Sequence, residues 1–462
     1  MLSFAFVLLV QSPAPNPDAI RIAMEAFRAR AEVAGQAYER AQDASLPLLR
    51  EGRLDAAIAR LVDAVPEKER TAAHAFMLGN VLFDLSPEVS GRFHEEAWRQ
   101  EPLVPPVVYE WALQQHRARR YREAEELYAS LIQGGVFAAP PVRALRADCL
   151  LHLGRFADAV QEWKTADPGQ HHSEIEQAAC WIYGPKSPYA RRCELLARAT
   201  KGGADGGLAL EQAVLLDLGF DRDWWNVGRE DEFLQHDLAL AKKAFGEGSA
   251  RWKELDLLVR AKTALEAANP MEDLMRKMRK DAAPKFDLAG EAKAVGVWGE
   301  AARLPASSLV ASNLFALFVE HQVATEAELG QRFAAELATR GDAGDVEALE
   351  VLAAIHAATD PSKLAQVDEQ GWEKHRDVRF GGSLLSSRAD AVRSDDPLLA
   401  ALLAHEPADV VVARIYVQAC MREKKALVEP LARVAMAEFQ HMTSYADTSA
   451  ALRELERVLA KK

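Results

Sequence analysis

The sequence predicts an all-α protein in which helix-turn-helix units repeat and continue into an α-solenoid of degenerate helical pairs. Three observations carry that expectation. Ala, Leu, Glu and Arg dominate the chain and aromatic residues make up 7%, a balance that favours helices over strands. Apolar residues recur at steps of three and four, the period of one helical face. Small residues recur at a longer period: Ser45, Gly79, Ala112 and Ala147 are 34, 33 and 35 positions apart, and Ala57, Gly91, Ala124 and Ala159 follow each by twelve. Two small residues at that spacing suit a unit whose helices cross closely and on which the next unit stacks.

Composition sets the outer limits. A chain of 462 residues, 49% of them hydrophobic, can bury a sizeable core. A formal net charge of -13 argues against nucleic acid or anionic lipid as the partner. Cys149, Cys180, Cys193 and Cys420 make no CxxC pair and no dense framework, so buried free thiols are expected; only Cys180 and Cys193 are close enough in sequence to suggest a bridge.

The chain opens with the apolar run Leu2 to Val10, followed by QSPAPNP. The run is far shorter than the roughly 20 residues a membrane-spanning helix needs. Residues 1–17 read as a signal peptide or apolar leader, which favours an exported or periplasmic location over a cytoplasmic one, although no Lys or Arg precedes the run. Ile20, Met24, Phe27, Ala31, Ala34 and Tyr38 then form one stripe, that of a helix capping the first unit.

The turns come next: EGRLDAAI at Glu51 to Ile58, ARRYREAE at Ala118 to Glu125 and LGRFADAV at Leu153 to Val160. Leu54, Tyr121 and Phe156 stand three residues before the small Ala57, Ala124 and Ala159, and Leu61, Tyr128 and Trp163 follow one turn later on the same face. SPEVSGRFHEE, from Ser86 to Glu96, gives the second unit a longer, proline-containing turn. Pro66, Pro102 and Pro168 fall near the ends of second helices, where proline stops a helix at little cost. From about Tyr38 to Asp167 the chain resembles tetratricopeptide repeats, so residues 18–170 are expected to hold the capping helix and about four such repeats.

Beyond Pro168 the period fades and the helical pattern persists. A middle region, 171–285, is expected to hold helices at 173–183, 188–199, 208–218, 232–245 and 250–268. The stretch DAAPKFDLAG, from Asp281 to Gly290, marks a boundary. A C-terminal region, 286–462, follows with helices at 307–322, 326–339, 345–358, 397–405, 408–421, 425–439 and 448–461.

The resemblance implies a groove for an extended peptide, lined by the first helix of each unit. Counted from the small residue, its candidate positions are Phe76, Asn80 and Phe83, then Tyr109, His116 and Arg117, then Asp148 and His152. Rings supply contact area there, while Asn, Arg and His bind backbone or carboxylate groups. The lysine of the family's carboxylate clamp is replaced by Phe76, which argues against a chaperone-tail adaptor. A second candidate is the stretch FDRDWWNVGRED, where Asp223, Trp224, Trp225 and Asn226 offer rings and polar groups for a ligand.

Catalytic signatures are missing: no GxSxG, HExxH, GxGxxG or phosphate loop occurs. His171 and His172 with Glu174 and Glu176 lack a matching ligand pair elsewhere, so no metal and no cofactor is expected. The expected function is a non-enzymatic scaffold that binds a protein or peptide, with no nucleic acid partner and no transmembrane anchor. The alternative is a helical-repeat enzyme, or a carbohydrate- or small-molecule-binding protein, with its site near Trp224 and Trp225.

Overall fold

The computed structural model describes residues 17–133, 139–184, 188–218, 230–253, 255–257, 259–260, 334, 337–338, 341–342, 346–405, 409–441 and 445–461. Among them every long element is an α-helix and no strand occurs. No helix among the described residues is long and apolar enough to cross a membrane. The chain forms two compact units, one of residues up to Arg191 together with Arg388–Lys462, the other of Arg192–Ser387.

The first unit begins with α1 (Pro17–Arg50) and α2 (Leu54–Val62), followed by α3 (Ala72–Leu82), α4 (Pro87–Gln100), α5 (Pro105–Arg117), α6 (Tyr121–Gln133), α7 (Pro140–His152), α8 (Phe156–Ala166) and α9 (His172–Tyr183). The expected capping helix and the first helix of the first pair are one element: α1 runs unbroken for 34 residues, with Pro47 inside it. Its stripe buries Ile20, Phe27, Ala34 and Tyr38 and continues to Leu46 and Leu49. Helices then pack in pairs, α1 with α2, α3 with α4, α5 with α6 and α7 with α8.

Three of the four pairs close with one turn geometry. After α1, Gly52 N–H donates to Leu49 O and Arg53 N–H to Leu48 O; Arg119 and Arg120 repeat this on His116 and Gln115, and Gly154 and Arg155 on Leu151 and Leu150. The turn needs a left-handed residue, with φ of 76° at Gly52, 59° at Arg119 and 73° at Gly154. That is the helix C-terminal motif in which glycine avoids the Cβ penalty and Arg119 bears it.

The small residues sit where the helices touch. Ser45, Ala57, Ala112, Ala124, Ala147 and Ala159 are all buried. Gly79 leaves room for a ring, since a Cβ there would lie 2.4 Å from the His94 imidazole. The second pair departs from the expected spacing: Ser90, eleven residues after Gly79, is the buried contact and its Oγ donates to Gly79 O at 2.8 Å, while Gly91 is half-buried. The longer turn shifts the register by one position.

The first unit is completed from far along the chain by α16 (Pro397–Leu403), α17 (Val410–Arg422), α18 (Val428–His441) and α19 (Tyr445–Leu459). One core runs from Val108 on α5 through Trp163 and Ile175 to Phe439 and Leu455. Trp163 Nε1 donates to Ser449 Oγ at 3.0 Å, and the Trp163 and Phe439 rings meet edge to face at 5.8 Å. These contacts cut across the divisions at 170/171 and 285/286, because the apolar faces of α8 and α9 are covered by residues beyond 388. The turn between α17 and α18 also repeats the earlier geometry, with Lys424 at φ 53° and Lys425 N–H donating to Cys420 O.

The second unit contains α11 (Gly203–Leu218), α12 (Glu230–Phe245), α13 (Val346–Thr359), α14 (Pro361–His375) and α15 (Val378–Ser387), and α10 (Pro188–Ala199) crosses its first residue. One core joins Leu195 and Leu196 to Leu210, Val214, Ala241 and Leu255. Fully buried Arg192 pairs with Asp237, Nε to Oδ2 at 3.0 Å and Nη2 to Oδ1 at 2.5 Å. The sequence reading placed no helices at α14 and α15. Gly371 makes a close approach: a Cβ there would lie 2.3 Å from the Phe380 ring. The expected helix at 307–322 and most of that at 326–339 lie outside the described residues.

Candidate functional site

The residues expected to line the groove are drawn into contacts within the first unit. Phe76 meets the Phe27 ring edge to face at 5.4 Å, so the long α1 covers it. Asn80 Oδ1 lies 2.9 Å from His94 Nε2, and Gln114 Nε2 lies 3.1 Å from His94 Nδ1. Gln114 can only donate to Nδ1 through its amide nitrogen, so the imidazole proton sits on Nε2 and is given to Asn80. Burial pushes His94 down to about 3.

That shift fixes a pH dependence. The unfolded chain takes a proton on this residue as pH falls below its ordinary value near 6.5, while the folded chain resists until about 3. His94 therefore favours the folded state fully above about pH 6.5, and stability falls by roughly 1 kcal/mol per unit of acidification between there and about pH 3. His94→Gln, unfolded by urea across that range, is expected to lack this part of the slope.

The centre of the cluster is His116 with Asp148. His116 stands on α5 and Asp148 on α7, both with fully buried side chains, and His116 Nε2 lies 2.9 Å from Asp148 Oδ2. Tyr183, at the end of α9, donates its hydroxyl to the same oxygen at 2.5 Å. On the other side of the ring, His116 Nδ1 is 3.4 Å from the Tyr128 hydroxyl and 3.5 Å from Cys149 Sγ. Burial raises the Asp148 carboxyl, but His152, His116 and the Tyr183 hydrogen bond outweigh it and hold it below the ordinary carboxylate value. Burial, with the Asp148 charge adding to it, pushes the Cys149 thiol and the Tyr183 phenol well up.

Cys149, His116 and Asp148 thus stand in the order of nucleophile, base and orienting carboxylate. Nucleophilic chemistry needs a thiolate and access, and this thiol is completely buried and held protonated. The arrangement works as a polar clamp between α5, α7 and α9. His116 and Asp148 consequently do not face a groove, since their side chains are at 0% exposure. Tyr109 packs against the main core, and burial raises its phenol.

Phe83, Arg117 and His152 keep part of their surface. His152 stacks on Tyr121 with ring centroids 4.0 Å apart and planes 3° from parallel. It also lines a cleft of about 130 Å³ with His405, Arg433 and Gln440. The Arg117 guanidinium lies over the Phe83 ring at 4.6 Å, and Phe83 in turn meets Trp181 of α9 at 4.6 Å. Trp181 is exposed at 38%. Burial lowers the Arg117 pKa, partly offset by Asp84, and its Nη1 has no hydrogen-bond partner among the described residues.

Trp181 and Tyr183 escaped the sequence reading because aromatic residues on an amphipathic helix look like ordinary core. The signal for them was a helix ending in CWIY with more rings than one buried stripe accommodates. Asp223, Trp224, Trp225 and Asn226 lie outside the described residues. All four cysteines are free thiols. His171 and His172 pair with Glu174 and Glu176 at 3.4 and 3.7 Å, and no metal-holding group occurs among the described residues. Compared with known proteins, the chain matches no family model and no curated protein.

Proposed function

We propose that the chain is a non-enzymatic scaffold of the tetratricopeptide type, which holds a segment of another protein against Phe83, Arg117 and Trp181. The observation that carries this reading is the Arg117 guanidinium stacked on Phe83 beside an exposed tryptophan. An aromatic pair beside a half-buried arginine offers apolar area and a positive charge, the combination that concentrates binding energy at protein interfaces. The recurring small residues and the shared turn geometry support the repeat assignment. The binding surface is narrower than the groove the sequence suggests, because α9 packs on α5 and α7 and covers His116 and Asp148.

Affinity capture from a native extract tests the proposal, with the intact chain compared against Trp181→Ala combined with Arg117→Gln. Both positions are partly exposed, so circular dichroism of the variant should match the parent. A partner retained by the parent and bound at least about tenfold more weakly by the variant is the expected result. Capture of the same proteins by both chains, or of none by the parent, would reject the surface.

A further inference from the structure

A cleft of about 130 Å³ opens in the first unit where α7 and α16 end beside α18. Its walls differ in chemistry. Leu403, Ala404 and Met436 are apolar, while His152, His405, Arg433 and Gln440 are polar. No carboxylate lines it among the described residues. Gln440 is buried at 7% exposure and His152 lies flat against the Tyr121 ring, so packing holds two of the four polar groups in place.

Arg433 is fixed by hydrogen bonds. Its Nε donates to Glu429 Oε1 at 3.1 Å and its Nη1 to Leu403 O at 3.2 Å. Neither acceptor engages Nη2 and its two N–H groups. The last carbonyls of a helix ordinarily repel an anion. At this cleft they are already used: Leu150 O and Leu151 O accept from Arg155 and Gly154 in the turn after α7, and Leu403 O accepts from Arg433.

We infer that this cleft binds a small carboxylic acid with a short alkyl chain, its carboxylate on Arg433 and the Gln440 amide and its chain against Leu403, Ala404 and Met436. A guanidinium stays charged at every ordinary pH, so a metal cation or an amine is repelled from the same space. Glu429 offsets part of that charge, which suits a monoanion better than phosphate. Phosphate and sulfate also bring no apolar surface to the Leu403 wall, whose removal from water a hydrocarbon chain supplies. The cleft has the volume of about four waters, the bulk of an acid of about three to five carbons. It shares no residue with the Phe83, Arg117 and Trp181 surface, so the two readings stand or fall separately.

Isothermal titration calorimetry of the full chain with sodium butyrate tests this. A dissociation constant of about 0.1–1 mM is expected, ordinary for a ligand of so few atoms. Butyramide keeps the chain without the charge, and sodium phosphate keeps a charge without the chain. Each is expected to bind at least about tenfold more weakly than butyrate. Ala404→Glu sets a carboxylate at an exposed position of the lining and is expected to weaken butyrate at least about tenfold. Arg433→Gln should do the same, and where circular dichroism shows that variant misfolded, Ala404→Glu decides alone. No binding of butyrate up to about 10 mM would overturn the inference. So would butyramide or phosphate bound as tightly as butyrate, or an affinity unchanged in Ala404→Glu.

Discussion

Asp148→Ala is expected to cost about 3–5 kcal/mol of folding stability, because it takes from His116 and the Tyr183 hydroxyl the buried carboxylate oxygen they share. The loss belongs to the clamp between α5, α7 and α9, so hydrogen exchange should speed up in those helices first. Asp148→Asn keeps the shape and one acceptor oxygen and is expected to lose less. The carboxyl is held below its ordinary value in the folded chain. Its contribution is therefore complete above about pH 4 and disappears as pH falls through the lowered folded value. An Asp148→Ala protein that unfolds with the parent in urea, monitored by far-ultraviolet dichroism, would show that the clamp contributes nothing.

The second large effect lies at Asp237. Its removal takes both carboxylate hydrogen bonds from the Arg192 guanidinium, whose side chain is fully buried. Asp237→Ala is expected to destabilise the second unit by about 3–5 kcal/mol, since removing one partner of a buried ion pair costs far more than removing both. The sharper test replaces both partners. Arg192→Leu with Asp237→Leu removes the charge together with its partner, and stability is expected to return to within about 2 kcal/mol of the parent. His236, with Nδ1 2.8 Å from Asp237 Oδ1, and Phe233, under the guanidinium at 4.8 Å, remain to pack against the new side chains. Equal losses in the single and double variants would mean that packing, not charge, holds these helices.

Much of the first unit was legible because close helix approach demands small side chains, and Ala112, Ala124, Ala147 and Ala159 announce it. Gly52 and Gly154 marked two turns for a related reason, whereas Arg119 and Lys424 adopt the same geometry without glycine and leave no trace in the sequence. The candidate site was read less well. His116 and Asp148 were recognised as special from their places on first helices, but the ring that buries them, Tyr183, arrives from a helix outside the repeat period. Packing of Trp163 against Phe439 was invisible, since nothing local to either residue encodes a partner 276 positions away. The role of Gly371 left no local signal either, since the Phe380 ring it admits comes from the next helix.

The interleaving of the two units sets an order on biosynthesis. The helices up to α9 leave the ribosome with the Trp163 face uncovered, and 196 residues, Arg192 to Ser387, are made before the first of their C-terminal neighbours emerges. At ordinary translation speeds this delay lasts about 10–40 s, long compared with helix formation. A nascent chain stalled in that interval carries an open hydrophobic edge where α18 and α19 belong.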